Sequence, residues 1–348
     1  MRAAASASWS PDILGPDYQA MTLQAPRPDG TARRATLIRH SPADGGADES
    51  GRSPRLGVLY IHGWSDYFYN TGLSEFFSSH GYDFYALDLH NHGRSLESAE
   101  LGGYVDDLAD YDDEILLAHQ VIANELYQGK AKPEGPAAES VHTNPIGRAA
   151  IILVGHSTGG LIAALWARKF PGKVSHLVLN SPWLEIHGGA AIRRAATPLV
   201  RPVADRRPLT RMRVPERTFY WRGISDEAYG DWHVDRHMRP PQAFPVRAGW
   251  MQAIMAAQRE VAGGLALPMP ALVLLSARSM LGPVWNEAML HADVVLDVRA
   301  LAFRALSLGS SVALERIDGA LHEVFLSNKP VRDDAYNRLA RWLRGYVD

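Results

Sequence analysis

The sequence predicts an α/β fold: a mostly parallel central sheet, helices on both faces and an inserted helical cap. Three observations predict it. Continuous apolar runs alternate with helix-like segments, the pattern of parallel strands buried on both faces. One run, Ile151-Ile152-Leu153-Val154, breaks at Gly155-His156-Ser157-Thr158-Gly159-Gly160 and resumes as the helix-forming Leu161-Ile162-Ala163-Ala164-Leu165-Trp166. A segment over roughly 182–265 shows no strand alternation and is too long for a bare loop in a compact domain, so it is read as the cap.

The elements follow in order. Residues 1–17 are read as a flexible start, because Ala3 to Ser8 are small rather than apolar and Pro11 and Asp12 follow. Tyr18 to Leu23 and Ala35 to Ile38 read as strands around the turn chemistry of Pro26-Arg27-Pro28-Asp29-Gly30, an antiparallel edge to the sheet. Residues 41–55 are polar and Gly-rich. Leu56 to Ile61 and Tyr82 to Leu87 read as buried strands, with a short helix over Leu73 to His80 between them. Val105 to Tyr127 reads as a long helix with an acidic start, which suits the helix dipole. Residues 129–148 read as a loop. Strands are expected at Val174 to Leu179, Ala271 to Leu275 and Ser311 to Ile317, with helical composition over 284–308 and about 332–346. The sheet and its helices therefore span 18–181 and 266–348, interrupted by the cap.

Composition excludes several classes of function. A net charge of −2 offers nucleic acid no attraction, and the absence of Cys removes disulfides, thiol nucleophiles and thiolate metal sites. No apolar run approaches the length of a membrane span, and the N-terminus lacks the apolar core of a signal peptide. The expectation is a cytoplasmic protein with no stable membrane insertion.

Gly155-x-Ser157-x-Gly159 is the pattern of a nucleophile elbow, a strand-to-helix turn that holds a serine clear of the sheet. A serine that merely capped the helix would not need glycine on both sides. A serine hydroxyl needs a base, and His322, in Gly319-Ala320-Leu321-His322-Glu323 after the last strand, is the candidate. His156 is a rival by proximity, but neighbours on so tight a turn point apart. The partner acid should follow the Ala271–Leu275 strand. Ser276 to Met280 contain none, which leaves Asp293, Asp297 and Glu287; Asp293 is preferred, because Asp297 suits a helix N-cap. Thr158, first in the helix, and Trp64, after His62-Gly63, are the candidate backbone donors of an oxyanion hole. Trp64 and His156 are also candidate substrate contacts. Asp88-x-His90-x-His92 has ligand spacing for a metal, but Gly93-Arg94-Ser95 supplies no further ligand, so a polar loop pinned by Asp88 and Arg94 is expected and no metal site.

Asp88-x-x-x-x-Gly93-x-Ser95, the elbow and Gly319 to Glu323, in that order, resemble the α/β-hydrolase superfamily, and within it the serine aminopeptidase/monoacylglycerol lipase/lysophospholipase branch. The resemblance covers about 55–346. It implies an α/β-hydrolase fold, a catalytic triad of Ser157, Asp293 and His322, and an oxyanion hole from Trp64 and Thr158. It departs in one place: a dozen or more residues separate the strand from Asp293, where the family usually has a few, so an insertion is expected.

The function implied is a serine esterase or lipase that uses no cofactor and takes a small-molecule ester, lipid esters included, through an acyl-enzyme. Oligomeric state stays open. A proline-releasing aminopeptidase is the alternative; it would need a cap carboxylate, Glu185, Asp226, Glu227 or Asp231, for the substrate ammonium. A non-catalytic binding protein on this fold is a third reading, opposed by the intact Ser157 and His322. Within the cap, Ile192 to Arg213 is Arg-rich with apolar spacers, whereas Phe219-Tyr220-Trp221, Tyr229, Trp232 and Trp250 are aromatic.

Overall fold

The computed structural model describes residues 8–27, 29–42, 56–127, 150–186, 188–214 and 218–347. The loops expected over 41–55 and 129–148 lie almost wholly outside these residues, as does the start of the N-terminal stretch. The strands are β1 (Ser10–Asp12), β2 (Gly15–Pro26), β3 (Ala32–His40), β4 (Gly57–Ile61), β5 (Asp83–Asp88), β6 (Ile151–His156), β7 (Val174–Asn180), β8 (Ala271–Ser276) and β9 (Val312–Ile317). They form one nine-stranded sheet in the order β1-β2-β3-β5-β4-β6-β7-β8-β9. From β5 through β9 in that order the strands run parallel; β1, β2 and β3 add an antiparallel edge.

The helices are α1 (Thr71–Ser79), α2 (Asp112–Tyr127), α3 (Thr158–Lys169), α4 (Gly189–Arg206), α5 (Phe219–Ile224), α6 (Ala248–Ala262), α7 (Val298–Ala305) and α8 (Lys329–Tyr346). Successive residues of β6 point to opposite faces of the sheet. Ile151 and Leu153 join a core with Ile115 of α2, Leu161 of α3 and Ile254 of α6; Ile152 and Val154 join another with Phe77 of α1 and Leu339 of α8. Burial on both sides is why β6 is apolar without alternation, each such side chain contributing roughly 1.5–3 kcal/mol.

Three expectations are corrected. The flexible start was expected to reach residue 17, but Ser10–Asp12 pairs with β2, and the Asp12 carboxylate accepts two hydrogen bonds from Arg94 at 2.7 and 2.8 Å. The helix expected from Val105 begins as a single 3-10 turn, Leu108–Tyr111, capped by Asp107 through the amide of Ala109, and α2 proper starts at Asp112. The helix expected over 284–308 divides into a 3-10 turn at Glu287–His291 and α7. Between them Asp293 accepts from the amides of Val295 and Leu296, and Asp297 from those of Arg299 and Ala300. Short acidic side chains that bond the local backbone compete with helix, and here they win.

Between β7 and β8 the chain carries α4, α5 and α6. The third is not a detached lid helix, since Ile254 and Val261 share a core with Leu161 and Ala164 of α3.

Candidate active site

Ser157 sits at the carboxyl end of β6, between strand and helix, with φ +52° and ψ −117°. That backbone is strained for a side chain and is held by its surroundings. A Cβ on Gly155 would lie 2.5 Å from the carbonyl oxygen of Gly159, and one on Gly159 would lie 2.2 Å from that of His62. Only glycine fits either place, which is the physical content of the motif.

Three side chains from distant parts of the chain meet here. His322 Nε2 is 3.0 Å from Ser157 Oγ, and His322 Nδ1 is 2.9 Å from Asp293 Oδ2. The other oxygen of Asp293 accepts from the amides of Val295 at 2.7 Å and Leu296 at 2.8 Å, so the carboxylate is fixed by backbone on one side and by imidazole on the other. Both Asp293 and His322 are buried. Asp297 caps α7 instead, and Glu287 lies exposed in a 3-10 turn. The insertion before Asp293 is an excursion: Met280 N donates to Asp293 O at 2.7 Å and Asp293 N to Arg278 O at 3.0 Å, so the loop leaves and returns at one point. At its far end Trp285 stacks on Tyr229 and lies beside Phe219 of α5.

Thr158 opens α3, where a helix leaves its first amides without intrahelical partners. Gly63 brings the preceding loop against the elbow, and a Cβ there would meet Ser157 Cβ at 3.3 Å. The Trp64 indole donates to the Gly103 carbonyl at 2.9 Å and stacks on Trp250 of α6, ring centroids 4.4 Å apart. A narrow recess of about 10 Å³ beside them is lined by Leu89, Leu108, Tyr111, Ile162 and Trp250, among others.

His156 was expected as a substrate contact. Its side chain is instead buried behind His322, ring centroids 4.9 Å apart. Nδ1 donates to the Asn180 carbonyl at 3.2 Å and faces Glu323 Oε2 at 3.0 Å, while Nε2 accepts from the Tyr220 hydroxyl at 3.4 Å. Burial, and then the charge of His322, push the His156 imidazole well below its ordinary value. Burial pushes the Glu323 carboxyl up to about 8, against the hydrogen bonds from the Phe325 amide and Asn180 that oppose it.

Of this layer, sequence reasoning singled out His156, for another role, and noted Tyr220 only within the aromatic stretch of the cap. Asn180 ends β7, a position beside the carboxyl edge where ligands gather, and that was the available signal. Nothing local ties Tyr220 to the site, though its ring meets His322 edge-on at 5.2 Å, and nothing local marks Arg239, whose guanidinium lies 4.7 Å over the Tyr220 ring and 3.1 Å from Asp66.

Asp88 is buried and accepts from the amides of Phe68 and Arg94 and from the Arg94 guanidinium, at 2.8–3.0 Å. His90 pairs with Glu114, and His92 Nδ1 donates to the His90 carbonyl at 2.9 Å. Among the described residues no cluster of three or more His, Asp or Glu side chains has metal-binding geometry. The Asp88–Arg94 pair pins this loop.

A family model described as alpha/beta hydrolase fold matches residues 58–210, and one described as serine aminopeptidase, S33, matches residues 137–328. Similar solved structures include the monoacylglycerol lipase of Paleococcus ferrophilus, 18% identical, covering 85% of this chain and 96% of that one, with a TM-score of 0.57. A soluble variant of monoglyceride lipase from Saccharomyces cerevisiae, in complex with a substrate analog, is 16% identical over 94% of this chain and 96% of that one, TM-score 0.61. A thermostable carboxyl esterase from Bacillus coagulans, in complex with glycerol, is 14% identical over 96% and 100%, TM-score 0.59. At such identities the likeness concerns the fold. Among curated proteins, 1-acylglycerol-3-phosphate O-acyltransferase of Sus scrofa is 52% identical over 33 residues, so the chain spans a tenth of the length of that relative.

Proposed function

Because the chain belongs to the serine aminopeptidase (S33) family of α/β hydrolases, we propose that it is a serine hydrolase of carboxylic esters, of the monoacylglycerol lipase and lysophospholipase kind. The observation that carries the reading is the chain of contacts Ser157 Oγ–His322 Nε2 at 3.0 Å and His322 Nδ1–Asp293 Oδ2 at 2.9 Å. Ser157 Oγ attacks the ester carbonyl as His322 Nε2 takes its proton. The oxyanion of the tetrahedral intermediate accepts from the amides of Thr158 and Trp64, each such donor contributing about 3 kcal/mol in the transition state. The C–O bond breaks as His322 returns the proton to the leaving alcohol. Water, deprotonated by the same imidazole, attacks the acyl-Ser157 ester and releases the acid. Asp293 holds the tautomer and stabilises the imidazolium. Trp64, Ile162 and Trp250 line a narrow apolar recess beside the oxyanion donors, which would have to widen to take an acyl end.

Proline-releasing aminopeptidase activity is the second reading, and the cap argues against it. Glu185 is held by Arg193 at 2.9 Å and Arg304 at 2.7 Å, Glu227 by Arg236, Asp231 by Arg332 at 2.8 Å, and Asp226 faces His233 at 3.4 Å. A substrate ammonium would have to displace an arginine at Glu185, Glu227 and Asp231. Labelling by a fluorophosphonate probe tests the proposal: wild type labels and Ser157→Ala does not. Equal labelling of the two, or none of wild type, would sink it. A monoacylglycerol, a lysophospholipid, short p-nitrophenyl esters and a prolyl amide then separate ester from amide cleavage.

A further inference from the structure

The short helix α5 is held between two parts of the site. Phe219 and Arg222, three residues apart, share the face that meets the excursion before Asp293. Trp285 of the excursion lies on that face, its ring 5.7 Å from the Phe219 ring and 5.1 Å below the Arg222 guanidinium. Tyr229, whose amide donates to the Arg222 carbonyl at 3.0 Å, stacks on the same indole at 5.6 Å. Trp221 and Ile224, again three apart, enter an apolar cluster with Leu321 and Leu326 of the loop that carries His322. Gly223 sits between the two sides: a Cβ there would touch Leu321 at 3.4 Å and Leu290 of the excursion at 4.0 Å.

Tyr220 carries α5 onto the base. Its ring meets the His322 imidazole nearly at right angles, centroids 5.2 Å apart, and its hydroxyl lies 3.4 Å from His156 Nε2. The buried Arg239 guanidinium lies 4.7 Å over the Tyr220 ring and is itself held 3.1 Å from Asp66, which limits the ring's freedom to swing away. Hydrogen bonds at Nδ1 and Nε2 hold the imidazole at its nitrogens but do little to fix the tilt of its plane. A flat side chain packed against it does.

We propose that Tyr220 is a positioning residue for His322, fixing the plane of the imidazole, and that Trp285 braces it through α5. The inference rests on the hydrolytic reading and deepens it. The need is greatest in the acyl-enzyme, where Ser157 Oγ is esterified and no longer donates to Nε2, yet the imidazole must meet the incoming water within hydrogen-bond reach. The excursion then serves both partners of the proton transfer. Its end supplies Asp293, and its far end, through α5, steadies His322.

Hydrolysis of p-nitrophenyl butyrate, expressed per site labelled to completion by a fluorophosphonate probe, tests this. Damage to folding lowers the number of labelled sites and leaves kcat per site alone. Tyr220→Ala should lower kcat per site roughly tenfold, with KM within about twofold of wild type. Tyr220→Phe keeps the ring and should recover kcat to within about threefold of wild type. Trp285→Ala should lower kcat about threefold, and Trp285→Phe should recover most of that. In a Tyr220→Ala background Trp285→Ala should add nothing, because it acts through Tyr220. Val284→Ala, exposed in the same excursion, should match wild type. Wild type that labels, with Tyr220→Ala unchanged in kcat per site, overturns the inference and leaves the hydrolytic reading standing. A rise in KM alone overturns it in favour of a substrate contact. Equal losses in Tyr220→Phe and Tyr220→Ala overturn it in favour of the hydroxyl and His156, and additive losses remove Trp285 from it. Wild type that does not label removes the hydrolytic reading and this inference together.

Discussion

Ser279 and Asp293 pair side by side as an isolated parallel bridge, so the long insertion between them begins and ends at the same place. Asp293 therefore stands beside His322 as it would after a short turn. The excursion is spent on the cap, where Trp285 packs against Tyr229 and Phe219.

Two acids four residues apart should then behave oppositely. Asp293→Asn should lower ester turnover about 10⁴-fold with little change in fold, since the amide presents the wrong tautomer partner to His322. Asp297→Ala should leave turnover near wild type and lower stability by about 1 kcal/mol through loss of the α7 cap. Steady-state rates and urea midpoints decide it; a rate collapse confined to Asp297→Ala would reverse the assignment.

Glu323 predicts a pH slope in stability. Its carboxyl is pushed up to about 8 by burial, above the 4.5 of a free glutamate. Below about pH 4.5 both folded and unfolded chains hold the proton and there is no penalty. As pH rises towards 8 the unfolded state releases it and the folded state keeps it, so this group's contribution falls through that window. Glu323→Gln, which keeps an acceptor for Asn180 and the Phe325 amide, should flatten the decline. Chemical denaturation of both proteins from pH 4.5 to 8 measures it, and parallel profiles would rule the idea out.

Glycines in the elbow and on the surface should respond differently to alanine. At Gly159 a Cβ would meet two backbone carbonyl oxygens, of His62 and Ile61, at 2.2 and 2.4 Å. Backbone cannot swing aside like a side chain, so Gly159→Ala should destabilise by more than the usual 1–3 kcal/mol of overpacking. At Gly172 a Cβ meets nothing within 4 Å, and Gly172→Ala should stay within about 0.5 kcal/mol. Thermal melts of the pair compare them directly; similar midpoints would contradict the steric account.

Arg94 stands between two buried carboxylates, Asp88 and Asp12. Arg94→Met should cost about 3–5 kcal/mol, because both charges lose their counterion while staying buried. A loss under 1 kcal/mol would mean that Asp88 is carried by the amides of Phe68 and Arg94 alone.

The sequence by itself determined what is local. The apolar run of β6, the glycines around Ser157 and the turn before His322 are legible because strand burial and tight-turn sterics act on neighbours in the chain. Element boundaries failed where Asp293 and Asp297 turned helix-like composition into caps. What only the tertiary structure decided lies between residues far apart. It singled out the one acid of three that touches His322, because the return of the loop to Ser279 is a pairing that no spacing rule counts. It moved His156 from a substrate contact to a buried partner of Glu323, because the sheet sets the ends of β6 and β7 beside the loop after β9. It also turned the Arg-rich stretch of the cap into a helix whose outer face exposes Ile192, Leu199 and Val203, since which side of α4 meets α6 is a matter of packing rather than of composition.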